Sequence, residues 1–291
     1  MASTNPTINS NYSGSQAGDY IGACMKSGLT LAEGNITLLE NVKYKRSLTV
    51  VDSSNIISTD ADCSFSPGTM SLTDRTITPL KQKLNVELCK RNLETDWMAQ
   101  NMTPGVTNSG MDADFTAFIM EYLGSAIGEN VENKIWSDLE LAAVADGTVV
   151  DVVGTTLTAI NIVDELNKIV KVIPDGCYGK EDLTLYLPTS AVKFYITAMS
   201  KLGYMNLYYG AEIPLTFEGI KIAHAPGLPA NRMFGTMKSN FFAATDLVSD
   251  YTDLRVVDMS TTDASQNIRV AGNFSIAANH AVGKDVVYYK G

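Results

Sequence analysis

Two histidines, four cysteines and scattered carboxylates are the side chains from which this sequence could build a reactive centre. His224 closes a predicted strand, just before Ala225-Pro226-Gly227, and His280 follows Asn279 in a β-rich stretch. A hydrolytic triad needs a nucleophile, a base and a third group that orients the base. The sequence contains no GxSxG, HExxH, GxGxxG or GxxxxGK[ST] run, the patterns that place a nucleophile, a zinc ion, a dinucleotide or a nucleotide phosphate. Both histidines are therefore read as structural. Cys24, Cys63, Cys89 and Cys177 lie far apart with no CxxC pair, so no zinc constellation can be written and the thiols are read as reduced and packed. Asp60 and Asp62 resemble a fragment of a calcium loop, but the Gly and distal Glu of that loop are missing. Asp112 and Asp114 stand two apart, on different sides of a helix. Trp97 and Trp136 sit beside predicted helices and read as core or interface anchors, because a large ring with one polar tip serves both. No catalytic residue, no metal ligand and no cofactor-binding residue is predicted.

Composition narrows the classes further. Hydrophobic residues make up 45% and charged residues 19% of the 291, an ordered composition with enough chain to bury a core without staples. The net charge of −10 argues against a protein that grips phosphates, since Lys and Arg must replace counterions there. An acidic wall that encloses nucleic acid without reading it stays compatible. The first 20 residues are rich in Ser, Asn, Thr and Gly, without the basic start and apolar stretch of a signal peptide, and no apolar run is long enough to span a membrane.

The elements that must position any site follow in order. Residues 1–35 read as an arm: Ile8, Tyr12 and Tyr20 are the large packing groups of its first 20 residues, too few to offset its ordering entropy, so a neighbouring subunit is the expected support. Residues 36–96 read as a long two-stranded excursion and its base. One strand lies at 47–52, a turn signal at Ser66-Pro67-Gly68, and a return strand at 71–78. Basic Lys43, Lys45, Arg46, Arg75, Lys81 and Lys83 stand close to acidic Asp52, Asp60, Asp62 and Asp74. An isolated hairpin is marginal in water, so this one needs something to lie on. A long helix is predicted over 111–137, from Phe118, Tyr122, Leu123, Ile127, Val131 and Ile135 at spacings of three and four. Over 155–246 helix and strand alternate: a helix started by Thr158 and stopped at Pro174, a half-buried strand at 183–187, a helix opened by Thr189 or Ser190, and a hairpin turning at Glu218-Gly219. Strands return at 253–258, 266–278 and 285–289. The class is α+β. Tyr208-Tyr209 and Tyr288-Tyr289 are candidates for subunit contacts.

This order of elements, together with several local stretches, resembles the major capsid proteins of tailed bacteriophages, the Hong Kong 97 fold. Leu88-Cys-Lys-Arg-Asn-Leu-Glu-Thr-Asp-Trp97 is similar to the segment that follows the family's extended loop. Val131-Glu-Asn-Lys-Ile-Trp-Ser-Asp138 resembles the end of its spine helix. Phe217-Glu-Gly-Ile-Lys-Ile222 with Pro226-Gly-Leu-Pro229 looks like its strand and proline-bracketed turn, and 239–247, 269–274 and 285–289 resemble its closing strands. The resemblance implies an N-terminal arm at 1–35 and an extended β loop with its base at 36–96. It implies a peripheral domain from 97–154 and 247–291, and an axial domain at 155–246. It also implies no enzymatic activity and no cofactor. The expected partner is the chain itself, in hexamers and pentamers of an icosahedral virion shell assembled in the host cytoplasm. That shell would enclose double-stranded DNA without sequence-specific binding. Separate scaffolding, portal and decoration proteins are further expected partners, because the chain leaves no room for a fused scaffold or an inserted decoration domain. Inter-subunit contacts are expected at Lys43, Lys45, Arg46, Arg75, Lys81, Lys83, Tyr208 and Tyr209. An encapsulin-like compartment, a tail or tube subunit, and an α/β enzyme are the alternatives.

Overall fold

A computed structural model describes residues 25–26, 28–54, 57, 68–89, 113–201, 215–246, 254–262 and 264–291. The elements are a short helix α1 (Leu29–Ala32), β1 (Thr37–Leu39), β2 (Arg46–Ser54), β3 (Thr69–Ile77), β4 (Leu80–Cys89), a long helix α2 (Ala113–Ala145), β5 (Val150–Val153), α3 (Ile162–Val172) and β6 (Leu183–Leu187). Then come α4 (Thr189–Lys201), β7 (Thr216–Phe217), β8 (Ile220–His224), β9 (Arg232–Met237), β10 (Phe241–Ala244), β11 (Leu254–Asp258), β12 (Asn267–His280) and β13 (Val287–Lys290). The chain forms two compact units.

The larger unit takes residues 28–80, 131–246 and 276–291. Its centre is a six-stranded mixed sheet ordered β5-β13-β9-β6-β8-β7. Because side chains alternate across a strand, this sheet has two inner faces. Leu183, Leu185 and Leu187 of β6, Met233 of β9, and Val287 and Tyr289 of β13 pack with Ile162, Leu166 and Ile169 of α3 and Ala191, Tyr195 and Ala198 of α4. The opposite face carries Tyr186, Phe234 and Tyr288, which form an aromatic cluster with Trp136 of α2 and Phe241 of β10. The prediction of a half-buried strand at 183–187 is corrected accordingly: all five residues of β6 are buried, since α3 and α4 cover one face and α2 with β10 the other.

Local chemistry explains the helix limits. In α3, Asp164 and Glu165 lie in the first turn and Lys171 in the last, matching the helix dipole. Its end is set by Pro174, which holds Ile173 at φ −59°, ψ 129°, the extended conformation required before proline. The cap differs from expectation: Asn161, not Thr158, is the N-cap residue, and the Asn161 side chain turns back to accept from the Thr158 amide at 2.7 Å. Helix α2 is longer than predicted, 33 residues, because Ile135, Leu139 and Ala143 continue the buried stripe beyond 137. The β7–β8 turn places Glu218 at φ 49° and Gly219 at φ 82°, the two left-handed positions of a tight primed hairpin.

The last residues of the expected arm make contacts with the body. Thr30 and Asn35 are buried in the chain's own core. The Glu132 carboxylate of α2, itself buried, accepts from the Thr30 amide at 3.2 Å, from the Thr30 hydroxyl, and from Trp136 Nε1 at 2.8 Å. Tyr186 donates to the Asn35 carbonyl at 2.6 Å, and β1 pairs in parallel with β10. Residues 28–39 therefore belong to the body. Residues 1–24 lie outside the described residues. Likewise β5 and β13, placed by the resemblance in the peripheral domain, pair with each other and, through β9, with the sheet of the 155–246 module.

The smaller unit takes the described residues of 81–130 and 247–275. Within it β11 pairs antiparallel with the first half of β12, Leu254 opposite Gly272 through Asp258 opposite Ile268, and β4 also pairs with β12. Glu87 of β4 accepts from the Asn267 amide group at 2.7 Å.

Candidate assembly surface

The paired strands β2 and β3 form a two-stranded sheet of their own, in register from Arg46 opposite Ile77 to Ser54 opposite Thr69. Cross-strand partners share a face, so the hairpin has one face carrying Leu48, Asp52, Arg75 and Ile77 and another carrying Thr49, Val51, Met70 and Leu72. The first is turned to the chain's own body. Ile77 is buried with Val42, Ala244 and Ala277, and Leu48 packs beside them. Lys284 reaches Asp52 at 2.9 Å, and the Asn279 side chain donates to the Thr76 carbonyl at 3.1 Å.

A polar junction forms at the hairpin root. Arg75 Nη2 bonds Asp146 Oδ2 at 2.5 Å, and His280 Nε2 stands 2.9 Å from the same oxygen. Thr148 donates to Asp146 Oδ1 from its amide at 3.0 Å and from its hydroxyl at 2.8 Å. Burial pushes the Asp146 carboxyl up, but the hydrogen bonds from His280, Thr148 and Arg75 outweigh it and hold the group well below the usual carboxylate range. Burial pushes the His280 imidazole below its ordinary value, with Asp146 opposing.

The other face has no cover among the described residues. Val51, Met70 and Leu72 keep 57%, 64% and 67% of their surface exposed. Three large apolar side chains on one face of an exposed hairpin form a patch of the kind that marks an interaction site, and among the described residues neither edge of the hairpin is paired further.

The predicted contact residues divide. Lys43, Lys45 and Arg46 are exposed at the start of the hairpin, with exposed Tyr44 among them. Arg75 is engaged inside the chain by Asp146 and His280. Lys81 and Lys83 share the exposed side of β4. Tyr208 and Tyr209, like Asp60, Asp62 and Trp97, lie outside the described residues. Tyr288 and Tyr289 are buried in the core. Asp146, His280 and Lys284 were missed as partners of the hairpin, since nothing in a one-dimensional pattern brings residues so far apart together. The outward apolar stripe was legible in principle from the alternation around Val51 and Leu72, once register is known.

Elsewhere, His224 Nε2 stands 2.9 Å from Thr189 Oγ1. Burial lowers its affinity for a proton, with Glu33 and Glu132 opposing through space. No carboxylate bonds its ring among the described residues, so the pair lacks the orienting group of a triad. Among the described residues no cluster of three or more His, Cys, Asp or Glu could hold a metal ion, and no helix is long and apolar enough to cross a membrane.

Comparison with protein-family models and with curated proteins finds no match. Solved structures do match over nearly the whole chain. The capsid of the native GTA particle is similar at TM-score 0.64 and 12% identity, covering 94% of each chain. The capsid of cyanophage P-SCSP1u gives 0.60 and 14%, covering 95% of this chain and 92% of that one. The mature capsid of bacteriophage PhiM1 gives 0.58 and 10%, covering 94% and 90%. Mixed helix and sheet, a long helix, a projecting hairpin and full-length agreement with these shells identify the fold as the Hong Kong 97-type capsid fold.

Proposed function

We propose that this chain is a major capsid protein, a subunit that assembles with copies of itself into the closed icosahedral shell of a tailed-phage virion and catalyses no reaction. The observation that carries the reading is the hairpin: one face is fastened to the body, while Val51, Met70 and Leu72 on the other stay exposed among the described residues. A second copy is the natural cover, because a repeated subunit presents the same patch and the same receiving surface everywhere in a shell. The exposed basic run Lys43, Lys45 and Arg46 adds charge complementarity, since the chain as a whole is acidic at −10. The same acidity suits a wall that encloses double-stranded DNA without gripping it. In this reading the 155–246 module lies around the capsomer axis of hexamers and pentamers. Lys81, Lys83, Tyr208 and Tyr209 are further contacts, and scaffolding, portal and decoration proteins are separate chains.

Electron microscopy of the purified full chain, with size-exclusion light scattering, tests this. Closed polyhedra or capsomer-sized rings are the expected result. A chain that stays monomeric at high concentration, even with a co-expressed scaffold, would overturn it.

A further inference from the structure

The junction at the hairpin root contains a contact that cannot be fully satisfied. His280 Nε2 lies 2.5 Å from Arg75 Nη1 and 2.9 Å from Asp146 Oδ2. In a neutral imidazole that nitrogen carries either a proton or a lone pair. With a lone pair it accepts from Arg75 and faces the carboxylate without a proton between them. With a proton it donates to Asp146 and meets the guanidinium donor to donor. In both tautomers Nδ1 stays buried with no hydrogen-bond partner among the described residues. His280 is fully buried, so solvent does not relieve the conflict.

We propose that Arg75, Asp146 and His280 form an acid-operated latch on the hairpin: a proton taken from solvent by His280 turns the imidazole into a second cation competing with Arg75 for the Asp146 carboxylate, Arg75 is displaced, and the hairpin is released from the body. Arg75 is the hairpin's charged tie to this junction, and the hairpin's remaining ion pair among the described residues, Lys284 with Asp52, is exposed on both sides, where such pairs contribute little. Among the described residues, the groups around His280 come from a few elements. Arg75 comes from β3 and Asp146 from the end of α2. The paired strand β10 presents Phe241 opposite it. In the turn that follows, Lys284 bonds Asp52 and Asp285 acts on Cys177. Gly283 lies so close to Asp146 that an added Cβ would sit 2.1 Å from Oδ2, so the carboxylate has no room to retreat on that side.

The direction follows from linkage. Burial first, and the Arg75 charge with it, depress the folded-state pKa of His280 below its ordinary value, against the pull of Asp146. The open state therefore binds more protons than the closed one, and closure is lost as pH falls below about 6.5. Asp146 joins only below about pH 4, where a free aspartate begins to protonate. Between these limits His280 acts alone.

The test is hydrogen–deuterium exchange on the full-length unassembled chain at about pH 7.5 and about pH 5, a range in which histidine is the side chain whose ordinary pKa is crossed. Rates are corrected for intrinsic exchange, with peptides of β6 as internal reference. Opening of β2 and β3 is expected to rise at least about tenfold on acidification, while His280→Gln stays within about twofold and Arg75→Met is open at both pH values. Should His280→Gln fail to fold, the imidazole of His280 is titrated by NMR in the His224→Gln chain, and its midpoint must coincide with that of hairpin opening. A flat pH response, an equal rise in His280→Gln, or midpoints more than about one pH unit apart would overturn the latch.

Discussion

Replacing Val51, Met70 and Leu72 together by Ser separates assembly from folding. Full burial of such a side chain stabilises by about 1.5–3 kcal/mol. These three retain 57%, 64% and 67% of their exposure in the isolated chain, so each has about 1–2 kcal/mol still to gain on contact, or about 3–5 kcal/mol per hairpin. At about 1.4 kcal/mol per factor of ten, one subunit contact should weaken by about 10²- to 4 × 10³-fold. Folding should barely notice, because exposed substitutions usually stay within about 0.5 kcal/mol. Two measurements are needed: the threshold concentration for particle formation, by light scattering and electron microscopy, and the denaturation midpoint of the unassembled chain. The expected result is a raised threshold with an unchanged midpoint. An unchanged threshold would refute the idea that this face is an interface. A collapsed midpoint would show that the face is covered within the chain.

Three further outcomes follow from individual contacts. Glu132→Ala removes the acceptor for the Thr30 amide, the Thr30 hydroxyl and Trp136 Nε1; at about 1–3 kcal/mol per stranded buried donor, partly relieved by the Trp136–Thr30 bond at 2.9 Å, the loss should be about 3–5 kcal/mol in urea unfolding, and a loss below about 1 kcal/mol would show that the 28–35 segment is not anchored there. Gly227→Ala would place a Cβ 2.4 Å from the Glu132 carbonyl oxygen and 2.8 Å from Trp136 Cδ1, so the thermal midpoint should fall in step with about 1–3 kcal/mol of overpacking; an unchanged midpoint would mean that the 225–229 turn does not rest on α2. Reversing charge at both exposed positions, Lys45→Glu and Arg46→Glu, should lower particle yield and its sensitivity to salt without shifting the denaturation midpoint, since exposed charges act on encounter more than on folding.

Much of the architecture is written locally, and those parts were readable in order. The periodic apolar residues of α2 and α3, Pro174 as a stop, the Glu218-Gly219 turn and the alternation on either side of Ser66-Pro67-Gly68 are short-range signals, because backbone sterics and side-chain period act between near neighbours. From these the sequence alone determined an α+β chain with one long helix and a projecting hairpin, without any motif for catalysis or metal binding. It could not determine which sheet a strand joins or which face of the hairpin is free. Those depend on contacts between residues more than a hundred apart, such as Thr30 with Glu132 and Arg75 with His280. Thus β13 entered the central sheet, Thr30 and Asn35 became buried against the body, and Arg75 turned from a surface charge into a tether. Burial is a property of the whole assembly of elements, and only the tertiary structure decides which side chains remain for a partner.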